Sequence, residues 1–162
     1  MLFRSARFLI IQPGLTNEEK KRLDTEKNAR ELVLEKYFSL TDQALATVRS
    51  KPDFVTWPEN AFPEILLDQN LSYGLAPKMR DFISSRKISL ITGGFGVKLL
   101  SDKQNVALTN SIYAINSSGK WEWPEYHKQI LLPFGEYIPG ASAFPRSEEH
   151  TSELQSQSTI SY

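Results

Sequence analysis

Two stretches hold residue types from which acid–base chemistry can be built: Trp57-Pro58-Glu59, and the run from Tyr126 to Gly140 that contains Lys128 and Glu136. Glu59 follows the short apolar segment Phe54-Val55-Thr56, and in α/β folds reactive groups gather at the C-terminal ends of strands. A carboxylate beside an indole and stiffened by a proline is expected to be partly desolvated, which suits a general base. The same glutamate also fits an ordinary exposed turn, because glutamate seldom stays buried. The second run, Tyr126-His127-Lys128-Gln129-Ile130-Leu131-Leu132-Pro133-Phe134-Gly135-Glu136-Tyr137-Ile138-Pro139-Gly140, is too apolar and aromatic for a common surface loop. Within it Lys128 can stabilise a developing oxyanion while Glu136 keeps the ammonium charged and aimed. A surface lysine in a structural salt bridge reads the same way. His127 has no metal or triad partner nearby in sequence and reads as a packed or exposed histidine. Gly93-Gly94-Phe95-Gly96 lacks the lysine and hydroxyl of a phosphate-binding loop and reads as a turn at a strand's end.

Composition narrows the chemistry. The chain has 162 residues, about one domain's worth. Nineteen basic residues balance nineteen acidic ones, so no global field draws it to nucleic acid or anionic lipid. No cysteine is present, which excludes disulfides, thiolate metal sites and a cysteine nucleophile within these residues. The apolar runs are too short to span a bilayer, and the first residues lack a signal peptide's apolar core.

The elements that must position Glu59 and Lys128 follow from periodicity. Residues 7–12 are apolar enough for a buried strand, closed by Pro13-Gly14. Thr16-Asn17-Glu18-Glu19 is a capping box, and one long helical pattern follows it. Its apolar stripe is Ala29, Leu32, Val33, Tyr37, Leu40, Ala44, Leu45 and Val48, and Pro52 ends it. Strands are predicted at 54–56, 88–92, 107–116 and 120–123, the last two joined by a turn at Asn116-Ser117-Ser118-Gly119. A helix is predicted over 76–86 with Met79, Phe82 and Ile83 inward. This order gives an α/β fold with a mixed sheet covered by helices on at least one face.

From Arg146 onward the apolar content almost vanishes. The string Arg146-Ser147-Glu148-Glu149-His150-Thr151-Ser152-Glu153-Leu154-Gln155-Ser156 resembles a translated sequencing-library adapter, and Ile160-Ser161-Tyr162 matches its continuation after three variable residues. Residues 146–162 are therefore expected to be a non-native, disordered tail, and 1–145 a partial domain. Ser147, Glu148 and His150 carry no weight as a triad in such a tail.

Trp57-Pro58-Glu59 followed by Lys128 resembles the nitrilase, or carbon–nitrogen hydrolase, superfamily. More narrowly, the segment centred on Leu132-Pro133-Phe134-Gly135-Glu136-Tyr137 is similar to the bacterial apolipoprotein N-acyltransferases. The resemblance covers roughly Arg7 to Gly140, the first half of the catalytic domain, and implies an incomplete α-β-β-α sandwich. It implies Glu59 as general base, Lys128 as the lysine that stabilises the transition state and Glu136 as a supporting carboxylate. Asn110 falls where the family also has an asparagine, with its role open. The family's nucleophilic cysteine lies beyond Lys128 and is absent from this chain, so the 162 residues are expected to be inactive. The implied reaction moves an acyl chain from phospholipid to the N-terminal cysteine amine of a lipoprotein through a thioester. It needs no cofactor, metal or nucleic acid, and runs at the outer, periplasmic side of the bacterial inner membrane. A soluble nitrilase-type amidase and a non-catalytic binding module remain alternatives. Half a sandwich would also leave the inner faces of the strands at 7–12, 54–56 and 88–92 uncovered.

Overall fold

A computed structural model describes residues 5–26, 28–67, 70–99, 106–122 and 126–129. Glu136 and the tail from Arg146 to Tyr162 lie outside these residues, as does Trp123 of the predicted strand at 120–123. The elements run β1 (Phe8–Ile10), α1 (Asn17–Thr25), α2 (Ala29–Thr47), β2 (Phe54–Thr56), α3 (Ala76–Arg86), β3 (Leu90–Leu99), β4 (Val106–Ile115) and β5 (Tyr126–His127). They form one mixed sheet in the order β1-β2-β3-β4-β5. The first three strands are parallel, with Leu9 beside Val55 and Val55 beside Leu90. β3 and β4 are antiparallel from Leu90↔Ile115 to Leu99↔Val106, and β5 adds antiparallel through Ser111↔His127.

Five expectations are corrected. The long helix is two helices: Glu26 leaves helical geometry at φ −114°, ψ 121°, and α2 starts only where the apolar stripe begins at Ala29. α1 carries the complete capping box between Thr16 and Glu19, but it is mostly charged and has little apolar face to carry it further. α2 stops at Thr47, short of Pro52, and its buried side is Ala29, Val33, Leu34, Tyr37, Phe38 and Thr41, leaving Leu32 and Val48 exposed. β1 is an edge strand whose Phe8 and Ile10 are exposed, so the buried apolar residue there is Ile11, just past its end. Gly93-Gly94-Phe95-Gly96 is no turn, since β3 runs through it in full register with β4. At 120–123 only an isolated bridge from Trp121 to Ile115 forms, next to the expected turn closed by Gly119 N–H donating to Asn116 O (2.9 Å).

The core lies on one side of the sheet. Alternation along the strands points Val55, Leu90, Tyr113 and Ile115 toward α2 and α3, where they meet Leu34, Tyr37, Phe38, Met79, Phe82 and Ile83. α3 forms as predicted, with Pro77 in its first turn and Met79, Phe82 and Ile83 buried. It is tied to α2 by a two-pronged ion pair from Arg86 to Asp42 (2.5 and 2.7 Å), and the Arg86 guanidinium also lies 4.0 Å from the Phe82 ring centre. The hydrogen-bonded Arg86 holds the Asp42 carboxyl below the ordinary carboxylate range. The opposite face of the sheet carries Phe8, stacked on Phe54 at 5.4 Å, together with Ile10, Ile112 and Tyr126. Among the described residues no helix is long and apolar enough to cross a membrane.

Candidate active site

Glu59 stands just past the C-terminal end of β2, on the open face. Two devices fix its backbone. Trp57 N–H donates to Ile91 O (2.9 Å), which extends the β2–β3 ladder, and Gly93 N–H donates to Pro58 O (3.2 Å). The chain then follows β3 onward, with Phe62 N–H on Gly93 O (3.1 Å) and Leu66 N–H on Phe95 O (2.9 Å). The contact at Gly93 is so close that a Cβ there would lie 2.6 Å from Glu59 Cα and 2.8 Å from Pro58 O. Glycine is required at 93 for this approach, not for a turn. Position 94 is looser, since a Cβ there would sit 3.4 Å from Phe62 Cβ.

The two other members come from β4 and from just past β5, toward the opposite edge of the sheet. Lys128 continues the β5 register, its N–H donating to Asn110 O (2.8 Å), so Asn110 and Lys128 sit opposite one another across two strands. Both side chains reach the same carboxylate oxygen: Asn110 Nδ2 donates to Glu59 Oε1 at 2.5 Å and Lys128 Nζ at 3.2 Å. The lysine side chain is 29% exposed and the glutamate 59%. Residues 69 positions apart in sequence thus share one ion pair. It borders a cavity of about 310 Å³ on the open face, lined by Ile91, Gly93, Ile112 and Tyr126 among others. A negatively polarised oxygen and a cation side by side over an apolar hollow can take a proton and stabilise a developing oxyanion on one substrate.

The expected desolvation of Glu59 by its neighbouring indole does not occur. Trp57 points to the helix side, where it is 2% exposed and packs on Tyr37 (4.9 Å between ring centres), Phe38 (6.0 Å) and Phe82 (6.5 Å). Burial pushes the Tyr37 phenol up to about 12, so that ring stays neutral. Trp57 serves Glu59 as an anchor rather than as a blanket. His127 is not without a partner: its Nδ1 lies 2.8 Å from Ser111 Oγ, which lies 3.0 Å from Thr109 Oγ1. Ser111 is 1% exposed, so this pair ties β5 to β4 and offers no accessible nucleophile. Among the sequence candidates, then, Glu59, Lys128 and Asn110 meet, while Glu136 lies outside the described residues. The residue that sequence reasoning missed is Gly93. Its signal was a glycine inside a run that otherwise alternates as a strand.

The chain has a nitrilase-like α/β fold. A crystal structure of an N-terminal amidase superposes with a TM-score of 0.50 at 17% identity, covering 78% of this chain and 28% of that one. A carbon–nitrogen hydrolase from Helicobacter pylori G27 gives 0.49 at 18% identity over 82% of this chain and 42% of its own. In sequence the chain is a relative of the apolipoprotein N-acyltransferases. It is 32% identical over 130 residues to that of Rhizobium rhizogenes, covering 80% of this chain and 23% of the relative. It is 28% identical over 137 residues to that of Bdellovibrio bacteriovorus, covering 84% and 25%, and 30% identical over 130 residues to that of Brucella suis, covering 80% and 23%. The chain spans about a quarter of the length of these curated relatives. No family model matches it.

Proposed function

We propose that this chain is part of an N-acyltransferase that moves an acyl chain from phospholipid to the α-amine of a lipoprotein's N-terminal cysteine. The observation that carries the reading is the meeting of Glu59, Lys128 and Asn110 on one oxygen, in a chain whose sequence relatives bear that name. In the complete enzyme a cysteine thiol, which none of these 162 residues supplies, gives its proton to the Glu59 carboxylate. A free thiol has a pKa of about 8.5, so the base is needed for a useful thiolate concentration. The thiolate attacks the ester carbonyl carbon, and Lys128 stabilises the oxyanion that forms. Collapse expels the lysophospholipid alkoxide, which takes the proton back from Glu59 and leaves an acyl thioester. The acceptor amine then attacks that thioester, passes a proton to Glu59, and releases the thiolate as the amide forms. Asn110 holds the carboxylate oxygen in line, and Glu136 supports Lys128. The reading places the reaction at the outer side of a bacterial inner membrane and takes 146–162 as foreign to the gene.

The test starts from source DNA. The locus should read on from Pro145 without the adapter-like codons, reach a cysteine codon, and then encode a terminal membrane helix. Its product should transfer a labelled acyl chain to a diacylated cysteinyl peptide. Glu59→Gln and Lys128→Met should each cost about 100-fold or more, as for removal of a general base or an oxyanion donor. Hydrolysis of amides with no acyl transfer would replace this reading with an amidase. The 162-residue chain itself should form no thioester with labelled phospholipid.

A further inference from the structure

The polar atom that aims Glu59 lies on the other side of the sheet. Thr41 in α2 is fully buried, yet its hydroxyl is used twice: it donates to Tyr37 O at 2.7 Å and accepts from Trp57 Nε1 at 3.1 Å. Buried threonine on an apolar helix face needs only the first of these bonds, since back-bonding to the preceding turn satisfies it. The second bond fixes the indole. A Trp57 ring packed among Tyr37, Phe38 and Phe82, at 34°, 44° and 44° to their planes, has only apolar ring contacts there, so packing alone chooses weakly between ring orientations. A buried N–H left without an acceptor is costly, and that makes the choice. Only Pro58 separates Trp57 from Glu59, and its ring fixes one of the backbone dihedrals between them, so a Trp57 backbone that shifts to re-seat its indole carries Glu59 with it.

We propose that Thr41 is a positioning residue for Glu59: through the Trp57 indole it sets where the carboxylate stands relative to Lys128. This rests on the Glu59–Lys128 reading above, and its test does not require turnover. A water-soluble carbodiimide activates the Glu59 carboxylate, and the Lys128 amine attacks it with loss of the urea, forming a side-chain amide only where the two groups meet. Peptide mass spectrometry of the full 162-residue chain then counts that cross-link.

Three variants separate positioning from plain stability. Thr41→Val keeps the shape and removes the hydroxyl, so the cross-link should fall about threefold or more, the worth of one net hydrogen bond. Thr41→Ser keeps the hydroxyl but removes a buried methyl, so it should lower the melting temperature while restoring the cross-link toward the parent yield. Trp57→Phe removes the donor together with buried ring volume, so it should lower the cross-link at least as far as Thr41→Val, and adding Thr41→Val to it should lower the yield no further, since the hydrogen bond is already gone. If Thr41→Val does not fold, Trp57→Phe carries the test alone. A parent-like yield in the variants lacking the bond overturns the proposal, and so does a yield that merely follows melting temperature through Thr41→Ser. Absence of the cross-link from the parent chain overturns the Glu59–Lys128 pairing itself, a different failure from the first.

Discussion

On the helix side of the sheet Val55, Leu90, Tyr113 and Ile115 are at most 1% exposed, whereas on the other side Phe8, Ile10, Ile112 and Tyr126 keep half or more of their surface. β4 supplies residues to both sets, all of them belong to one sheet, and the residue types are close to the same. What differs is which position in the two-residue repeat meets α2 and α3. Stability is therefore concentrated on one face and the candidate chemistry on the other. The ion pair of Glu59 and Lys128 sits on the open face beside the tight passage at Gly93, while Trp57, two residues before Glu59, is packed on the closed one. An apolar face this open also invites association with a like surface.

The largest test of that contrast uses one substitution twice on β4. Ile115→Thr, on the closed face, should cost about 2–4 kcal/mol, from lost apolar burial and a hydroxyl without a partner. Ile112→Thr, three residues away on the open face, should stay within about 0.5 kcal/mol of the parent. Urea midpoints at constant slope give both numbers. The double variant Ile10→Thr/Ile112→Thr should also bind less hydrophobic dye and sediment more nearly as a monomer. Equal costs at 112 and 115 would mean that the open face is covered in solution.

A middle-sized effect separates two adjacent glycines. Gly93→Ala forces a Cβ against the Glu59 backbone at 2.6 Å, so the loop or the strand must shift. That should cost about 1–3 kcal/mol, the usual range for overpacking, and should abolish the carbodiimide cross-link to Lys128. Gly94→Ala makes an ordinary contact at 3.4 Å and should leave the cross-link in place. Loss of the cross-link in both variants would mean that the strand, not the close passage, holds Glu59.

These glycines also mark where the sequence could be read and where it could not. α3 was legible because Pro77, Met79, Phe82 and Ile83 agree locally on one helix with one buried side. The mixed sheet followed from the order of short apolar runs and the turn at 116–119. Gly93 can be read locally as a glycine within a strand pattern, but its reason is the backbone of Glu59, which sequence spacing does not bring near. The break between α1 and α2, and the burial of Thr41 in place of Val48, depend on what packs against the helix. The two-residue strand β5 has no pattern of its own and is recruited by β4. The meeting of Glu59 and Lys128 was legible only through resemblance to a family, since nothing in their spacing pairs them.

The smallest expected effect probes the outer edge of the closed side, where α1 rests on α2. Glu19 accepts from the Lys36 ammonium at 2.8 Å and from Thr16 N–H at 2.7 Å, and these bonds, that to Lys36 foremost, lower its carboxyl from 4.5 to about 2. A carboxyl whose folded value lies below its unfolded one adds stability that is present above the unfolded value. That contribution should be whole above about pH 5 and should fade as pH drops through 4.5 toward 2. Because the pair is solvated and screened, the loss should be local: α1 should fray from its capped end while the core of α2, α3 and the sheet stays protected. Amide hydrogen exchange at pH 5 and pH 2.5 reads this directly at residues 17–25. Glu19→Gln removes the titrating group, so it should already exchange faster at pH 5 and change less on acidification. An acid response of the same size in Glu19→Gln would move its origin away from this contact. A response that began in the sheet would mean that the closed face is not the stronger of the two.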